Sequence, residues 1–142
     1  MNCDGCTFCC LVLPVKGRDK KAYAECRDCD TGVGCTRYDE RPPECVAFDC
    51  AYRQAPSCGD ELRPDKCGVV FERMSDQIMF GSVATELTDA ARLQVSGFQE
   101  QGFSVVLDHR GKRRLIVAPA PGRTADAVAT EFRIRRDLRA GV

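Results

Sequence analysis

The 142-residue chain has no net charge and few features that identify a chemistry. Its 21 basic and 21 acidic residues cancel, so the whole molecule has no electrostatic preference for nucleic acid or for an acidic membrane surface, and we expect neither as a partner. No apolar run approaches the length that crosses a bilayer. Neither a phosphate-binding glycine loop nor a Ser-His-acid set is apparent, so the sequence gives no support for enzymatic activity.

The sequence shows no secretion signal that we recognise, and it has a single histidine. The first residues have neither a basic leader nor an apolar stretch of signal length, and charged residues from Lys16 to Lys21 end the short apolar run before them. We therefore expect a soluble, cytoplasmic protein, in a compartment where disulfides rarely persist. The single histidine, His109, lies in a predicted turn over 108–112, and we expect it to be solvated rather than a ligand or general base.

Cysteine, by contrast, is abundant: the chain has 11, nine of them within its first fifty residues. Such a number indicates either a disulfide framework or thiolate ligands to metal, and the expected reducing compartment and the odd count favour metal. Cys58 is excluded from the candidates, and Cys67 is left open because a small buried thiol explains it as well. The candidate metal ligands are Cys3, Cys6, Cys9, Cys10, Cys26, Cys29, Cys35, Cys45 and Cys50.

The spacing of these cysteines is typical of metal ligands. The run Cys3-x-x-Cys6-x-x-Cys9-Cys10 allows a tight loop to direct successive sulfurs at one centre, and Cys26-x-x-Cys29 forms a second knuckle that flexible residues connect to Cys35. Prolines at 42 and 43 stiffen the approach to Cys45. Side chains of adjacent residues tend to diverge, so Cys9 and Cys10 indicate two metal centres or a bridged pair. Nine thiols also exceed two four-thiolate zinc sites by one.

The identity of the metal is a choice between zinc and iron, because thiolates bind both zinc and iron–sulfur clusters. Several short knuckles from distant segments favour structural zinc, and no flavin, nicotinamide or radical-initiator pattern accompanies them. A thiolate-rich zinc site is anionic, so nearby cations matter for its stability. Except for Arg41, whose position the prolines fix, each candidate is expected to belong to an ordinary solvated face. These cations are Lys16, Arg18, Lys20, Lys21, Arg27, Arg37 and Arg41.

The predicted fold is α+β. Residues 1–66 lack sustained periodicity and should be mostly loop, ordered by metal bonds. Residues 67–142 predict ββαββα: hairpins over 68–80 and 103–117, a helix over 86–101 and a final helix capped by Thr124. We expect a small antiparallel sheet with both helices on one face, against which the cysteine-rich half packs as one compact unit.

The cysteine pattern, continued by Cys35-x-x-Tyr38, Arg41-Pro42-x-x-Cys45 and Phe48-x-Cys50, resembles that of the CxxCxxCC cysteine-cluster (YkgJ-like) family. That family is described as a zinc- or iron-chelating domain, and the likeness covers about the first fifty residues. It implies that the nine cysteines are metal-binding positions. It does not decide between the two metals. From the cysteine knuckles we expect a metal-binding protein with a multinuclear zinc site and a structural, interaction or metal-handling role. Related clusters are associated with flagellin lysine methylation, so the alternative is an iron–sulfur redox protein or enzyme subunit.

Overall fold

The computed structural model describes residues 5–54, 61–84, 86–109 and 114–139. Within these ranges the chain forms a mixture of short helices, longer helices, a two-stranded sheet and a four-stranded sheet, which confirms the mixed class predicted from the sequence. None of the helices in these ranges has the length and apolar content that crossing a membrane requires.

The described part of the cysteine-rich region contains only short elements, as its lack of periodicity predicts. None of those described there exceeds five residues. The helices are α1 (Phe8–Val12), α2 (Pro43–Ala47), α3 (Ala51–Gln54) and α4 (Pro64–Cys67); the strands are β1 (Cys29–Asp30) and β2 (Gly34–Cys35); 3₁₀ turns cover Lys16–Arg18 and Tyr38–Glu40.

The C-terminal sheet is mixed rather than antiparallel. Its strands lie in chain order: β3 (Val69–Arg73), β4 (Ile78–Val83), β5 (Ser104–His109) and β6 (Arg114–Ala118). The two outer pairs are antiparallel, so both predicted hairpins are confirmed, but β4 and β5 run parallel with Ile78 opposite Ser104. The prediction of a wholly antiparallel sheet was wrong because a helix connects β4 to β5, and so long a connection allows the chain to return in the same direction.

The two longer helices, α5 (Asp89–Glu100) and α6 (Ala125–Arg139), pack on opposite faces of this sheet. Phe98 of α5 packs edge-on against Phe71, whereas Phe132 of α6 stacks on Phe80. Side chains of consecutive strand residues point to opposite faces of a sheet. Because consecutive residues of β4 and β5 are apolar and buried, both faces of the sheet are apolar and each is covered by a helix. The expectation that both helices share one face was therefore wrong.

The cysteine-rich region shares its apolar core with the sheet. Val12 of α1 and Cys50 pack with Val70 of β3 on one side. On the other side, Leu62 and Cys67 belong to the cluster under α5. Burial of these side chains holds the region against β3, so the region is not anchored by cysteine chemistry alone.

Candidate metal centre

Helix α1 carries two adjacent thiols, those of Cys9 and Cys10. The backbone N–H of Cys10 donates to the carbonyl of Thr7, which closes the first turn. The Thr7 hydroxyl accepts from the N–H of Gly32 at 3.1 Å, and this bond ties the start of α1 to the β1–β2 turn. The Cys10 thiol interacts with those of both Cys9 and Cys29. The expectation that the adjacent thiols diverge was therefore wrong, because the two sulfurs are close enough to share a hydrogen bond.

Strands β1 and β2 bring the next three thiols together. The N–H of Cys29 donates to the carbonyl of Cys26, closing the predicted knuckle. Cys29 then pairs with Cys35 across the two-stranded sheet, and residues directly opposite each other in such a pair present their side chains on the same face. Gly32 and Gly34 both have positive φ, so the intervening turn uses the flexibility that the sequence predicted for it.

Cys45 reaches the same region from helix α2. Pro42 is extended and Pro43 occupies the first helical position, where a missing N–H costs nothing. The Cys45 thiol lies within electrostatic range of Cys10, Cys26 and Cys35. The paired prolines thus restrict the backbone before Cys45, as predicted, and this fixes the position of the Cys45 thiol.

Six thiols from four stretches of chain therefore form one group, which we call the six-thiol group: Cys9, Cys10, Cys26, Cys29, Cys35 and Cys45. Five of them, all but Cys29, line a cavity of about 490 Å³. All six are free thiols. Among the described residues, no three histidine, cysteine, aspartate or glutamate side chains are arranged to hold a metal ion. The fold thus gathers soft sulfur donors of the kind that fit zinc or iron without setting three of them around one point.

Proximity and burial shift these thiols toward the protonated form. Contact with the Cys9 thiol, together with burial, raises the pKa of Cys10 far above its ordinary value. Burial and the neighbouring Cys10 thiol raise the pKa of Cys29 to about 11, and burial also raises the pKa of Cys45. Without a cation these groups repel one another as thiolates. A metal ion binding here would therefore have to displace protons.

Lys20 lies beside the six-thiol group and is 92% buried. Its ammonium donates to the main-chain carbonyls of Leu11 at 3.1 Å, Leu13 at 2.5 Å and Lys21 at 3.2 Å. Burial lowers the pKa of Lys20, and nearby thiols, Cys26 foremost, act in the opposite direction. The expectation of a solvated Lys20 was wrong, because its side chain turns inward to the carbonyls at the end of α1.

Two arginines also border the cavity. Arg18 forms an ion pair with Asp28 at 2.5 Å, and both side chains are mostly buried. Arg41 lies over the Tyr38 ring at 3.7 Å and donates to the Tyr38 carbonyl. Arg41, singled out in the sequence for its position beside the prolines, therefore lies at the cavity wall.

Two of the three remaining predicted ligands are described, and neither belongs to the six-thiol group. Cys6 borders the cavity but is buried toward Arg63 and Asp65. Cys50 packs in the apolar cluster with Val12 and Val70. Cys3 lies outside the described residues, as does the excluded Cys58.

Two residues outside the predicted ligand set are buried, Cys67 and His109. Cys67 is fully buried, with its thiol 3.3 Å from the Val69 carbonyl, so it is a core residue. His109 is the last residue of β5 and is 5% exposed, so its predicted solvation was wrong. Strand alternation places it on the same side as Val105 and Leu107. Residues 110–112 of its predicted turn lie outside the described residues, and Asp108 belongs to β5.

Thr7 is the residue that the sequence did not reveal. It links α1 to the β1–β2 turn through Gly32, and its side chain also interacts with the Cys29 thiol. A threonine inside a cysteine run has no distinctive spacing, and only its position between Cys6 and Cys9 could have drawn attention to it.

No family model, curated protein or solved structure matches the chain. The resemblance to the CxxCxxCC family therefore remains a prediction from the cysteine pattern.

Proposed function

We propose that this protein binds metal ions, zinc foremost, through the six-thiol group, in a structural, interaction or metal-handling role. The observation that carries the proposal is the convergence of free thiols from α1, the Cys26–Cys29 knuckle, β2 and α2 on one region. This convergence brings several thiols together in a partly buried place, where their thiolate forms would repel one another. Coordination to a metal cation would stabilise the thiolates. Zinc supplies a cation that holds thiolates and orders the loops that carry them.

The number of thiols favours more than one ion. A structural zinc ion takes four ligands, so six thiolates exceed one site and suit two ions that share sulfurs. The interaction of Cys10 with both Cys9 and Cys29 supports sharing, because a sulfur between two others is placed to serve two ions. Cys6, at the cavity border, is available as a further ligand.

An iron–sulfur centre is the second candidate. The observation that favours it is the cavity of about 490 Å³ beside the thiols, which offers more space than a single zinc ion occupies. The Cys-x-x-Cys-x-x-Cys spacing that ends at Cys9 also suits loops that bind such clusters. In that case the role would be redox chemistry or service as an enzyme subunit.

Elemental analysis with a visible absorption spectrum after anaerobic purification tests the proposal. We expect a colourless protein with one or more zinc ions per chain. Iron with acid-labile sulfide and strong visible absorption would reject zinc and support the second candidate. A folded protein without metal, whether its cysteines are paired or free, would reject both.

A further inference from the structure

We propose that Lys20 is a positioning residue whose positive charge stabilises the thiolates of the six-thiol group when metal is bound. The inference rests on the proposed metal binding, and it assigns to one buried cation the task of offsetting the negative charge of the centre. Lys20 does not touch the metal in this proposal; it acts through the sulfurs.

The ammonium of Lys20 is buried without a neutralising partner among the described residues. Its three hydrogen bonds go to the carbonyls of Leu11, Leu13 and Lys21, which satisfy its donors but carry no formal charge. No ion pair of the described residues includes it. A buried cation with satisfied hydrogen bonds and no counter-charge is costly, so an anionic neighbour would stabilise it.

The charged form of the thiol group is that neighbour. The Lys20 ammonium donates at 3.1 Å to the carbonyl of Leu11, the residue that follows Cys10 in α1. The thiols of Cys26, Cys10, Cys9 and Cys45 all interact electrostatically with Lys20. Two zinc ions with six thiolates, or one with four, leave a formal charge of about −2 by ligand counting. The negative charge of the metal-bound centre and the positive charge of Lys20 therefore stabilise each other. Protonated thiols are neutral and provide no such counter-charge.

The backbone around Lys20 is fixed, so its charge has a defined place. Lys20 and Val15 exchange two hydrogen bonds, of 2.9 and 3.0 Å, around a tight turn in which Asp19 has a φ of +50°. The two arginines that line the cavity have different contacts: Arg18 forms an ion pair with Asp28, and Arg41 lies over the Tyr38 ring. Lys20 is thus a buried cation with a fixed backbone that interacts with four of the six thiols.

The test compares Lys20→Met, Lys20→Gln and Lys20→Arg with the exposed control Lys21→Met. Each protein is loaded anaerobically with zinc, and its affinity is measured by competition with a chromophoric chelator. We expect Lys20→Met and Lys20→Gln to weaken zinc binding about 10- to 100-fold, as loss of an outer-shell partner typically does. Lys20→Arg, which keeps the charge, should retain more affinity than either, and Lys21→Met should equal the wild type.

A second readout separates charge from hydrogen bonding. In cobalt-loaded protein, loss of a nearby positive charge raises the energy of the sulfur lone pairs, so the thiolate-to-cobalt band should move to lower energy in Lys20→Met and Lys20→Gln. If Lys20→Gln, which can still donate to the carbonyls, matches the wild type in affinity and band position, the charge role is overturned. If Lys20→Met does not fold, Lys20→Gln and Lys20→Arg provide the same comparison.

The outcomes also separate this inference from the proposed function. Wild-type protein that takes up no metal overturns both. Wild-type protein that binds zinc with the same affinity as Lys20→Met and Lys20→Gln overturns the role of Lys20 alone.

Discussion

Gly81, in the centre of β4, should not tolerate a single added methyl group. A Cβ at this position would lie 2.6 Å from Cδ2 of Leu107, 2.9 Å from Cγ1 of Val69 and 3.1 Å from Cε1 of Phe71. All three side chains are at most 1% exposed, and the Phe71 ring is held against Phe98. None of them can move into solvent to make room, so Gly81→Ala forces a shift within the core.

The magnitude follows from two opposing effects. Overpacking a well-packed core typically costs about 1–3 kcal/mol. Replacing glycine also reduces the conformational freedom of the unfolded chain, which returns about 0.4–1 kcal/mol. The first effect is larger, so we expect Gly81→Ala to lower the free energy of unfolding by about 1–2 kcal/mol.

Gly97→Ala is the matched control, because the same methyl group meets nothing within 4 Å on helix α5. There the better helix propensity of alanine should raise the free energy of unfolding by up to about 1 kcal/mol. Urea unfolding followed by circular dichroism, at equal metal content and under reducing conditions, measures both variants. A Gly81→Ala protein as stable as the wild type would show that this core is not packed as described.

Three further outcomes are expected. Thr88→Ala should cost about 1–2 kcal/mol in urea unfolding, because the Thr88 hydroxyl caps α5 by accepting from the Ala91 N–H and also donates to the Cys67 carbonyl. Cys9→Ser and Cys10→Ser should each lower the bound metal per chain, whereas Cys67→Ser, at a core thiol, should not; equal metal in all three would contradict the assignment. Chelation of the metal should make residues 5–54 sensitive to protease before the sheet, as limited proteolysis with mass spectrometry would detect.

Local patterns predicted the C-terminal elements well. The apolar runs gave both hairpins, and helical spacing gave α5 and α6, with Thr88 and Thr124 acting as their caps. The sheet's parallel centre was missed because strand patterns carry no direction. The side on which each helix packs depends on how the chain crosses between β4 and β5, which is a property of the whole fold.

The candidate site was predictable in composition but not in arrangement. Cysteine spacing identified all six members of the six-thiol group, since a knuckle and a short hairpin are local structures. Spacing alone did not separate these from Cys50, whose place depends on packing against Val70. The inward course of Lys20 was equally hidden, because a lysine in a charged run gives no sign of burial.

The parallel pairing of β4 with β5 has a consequence for how the molecule folds. The β3–β4 and β5–β6 hairpins each join strands that are close in sequence. Ile78 and Ser104, which are paired in the parallel centre, are separated in sequence by all of α5. Closing so long a connection is entropically slow, so the two hairpins are expected to form as separate local units and then dock. Gly81 and Leu107 lie opposite each other in this parallel pair, so we expect their fit to affect the folding rate as well as the stability.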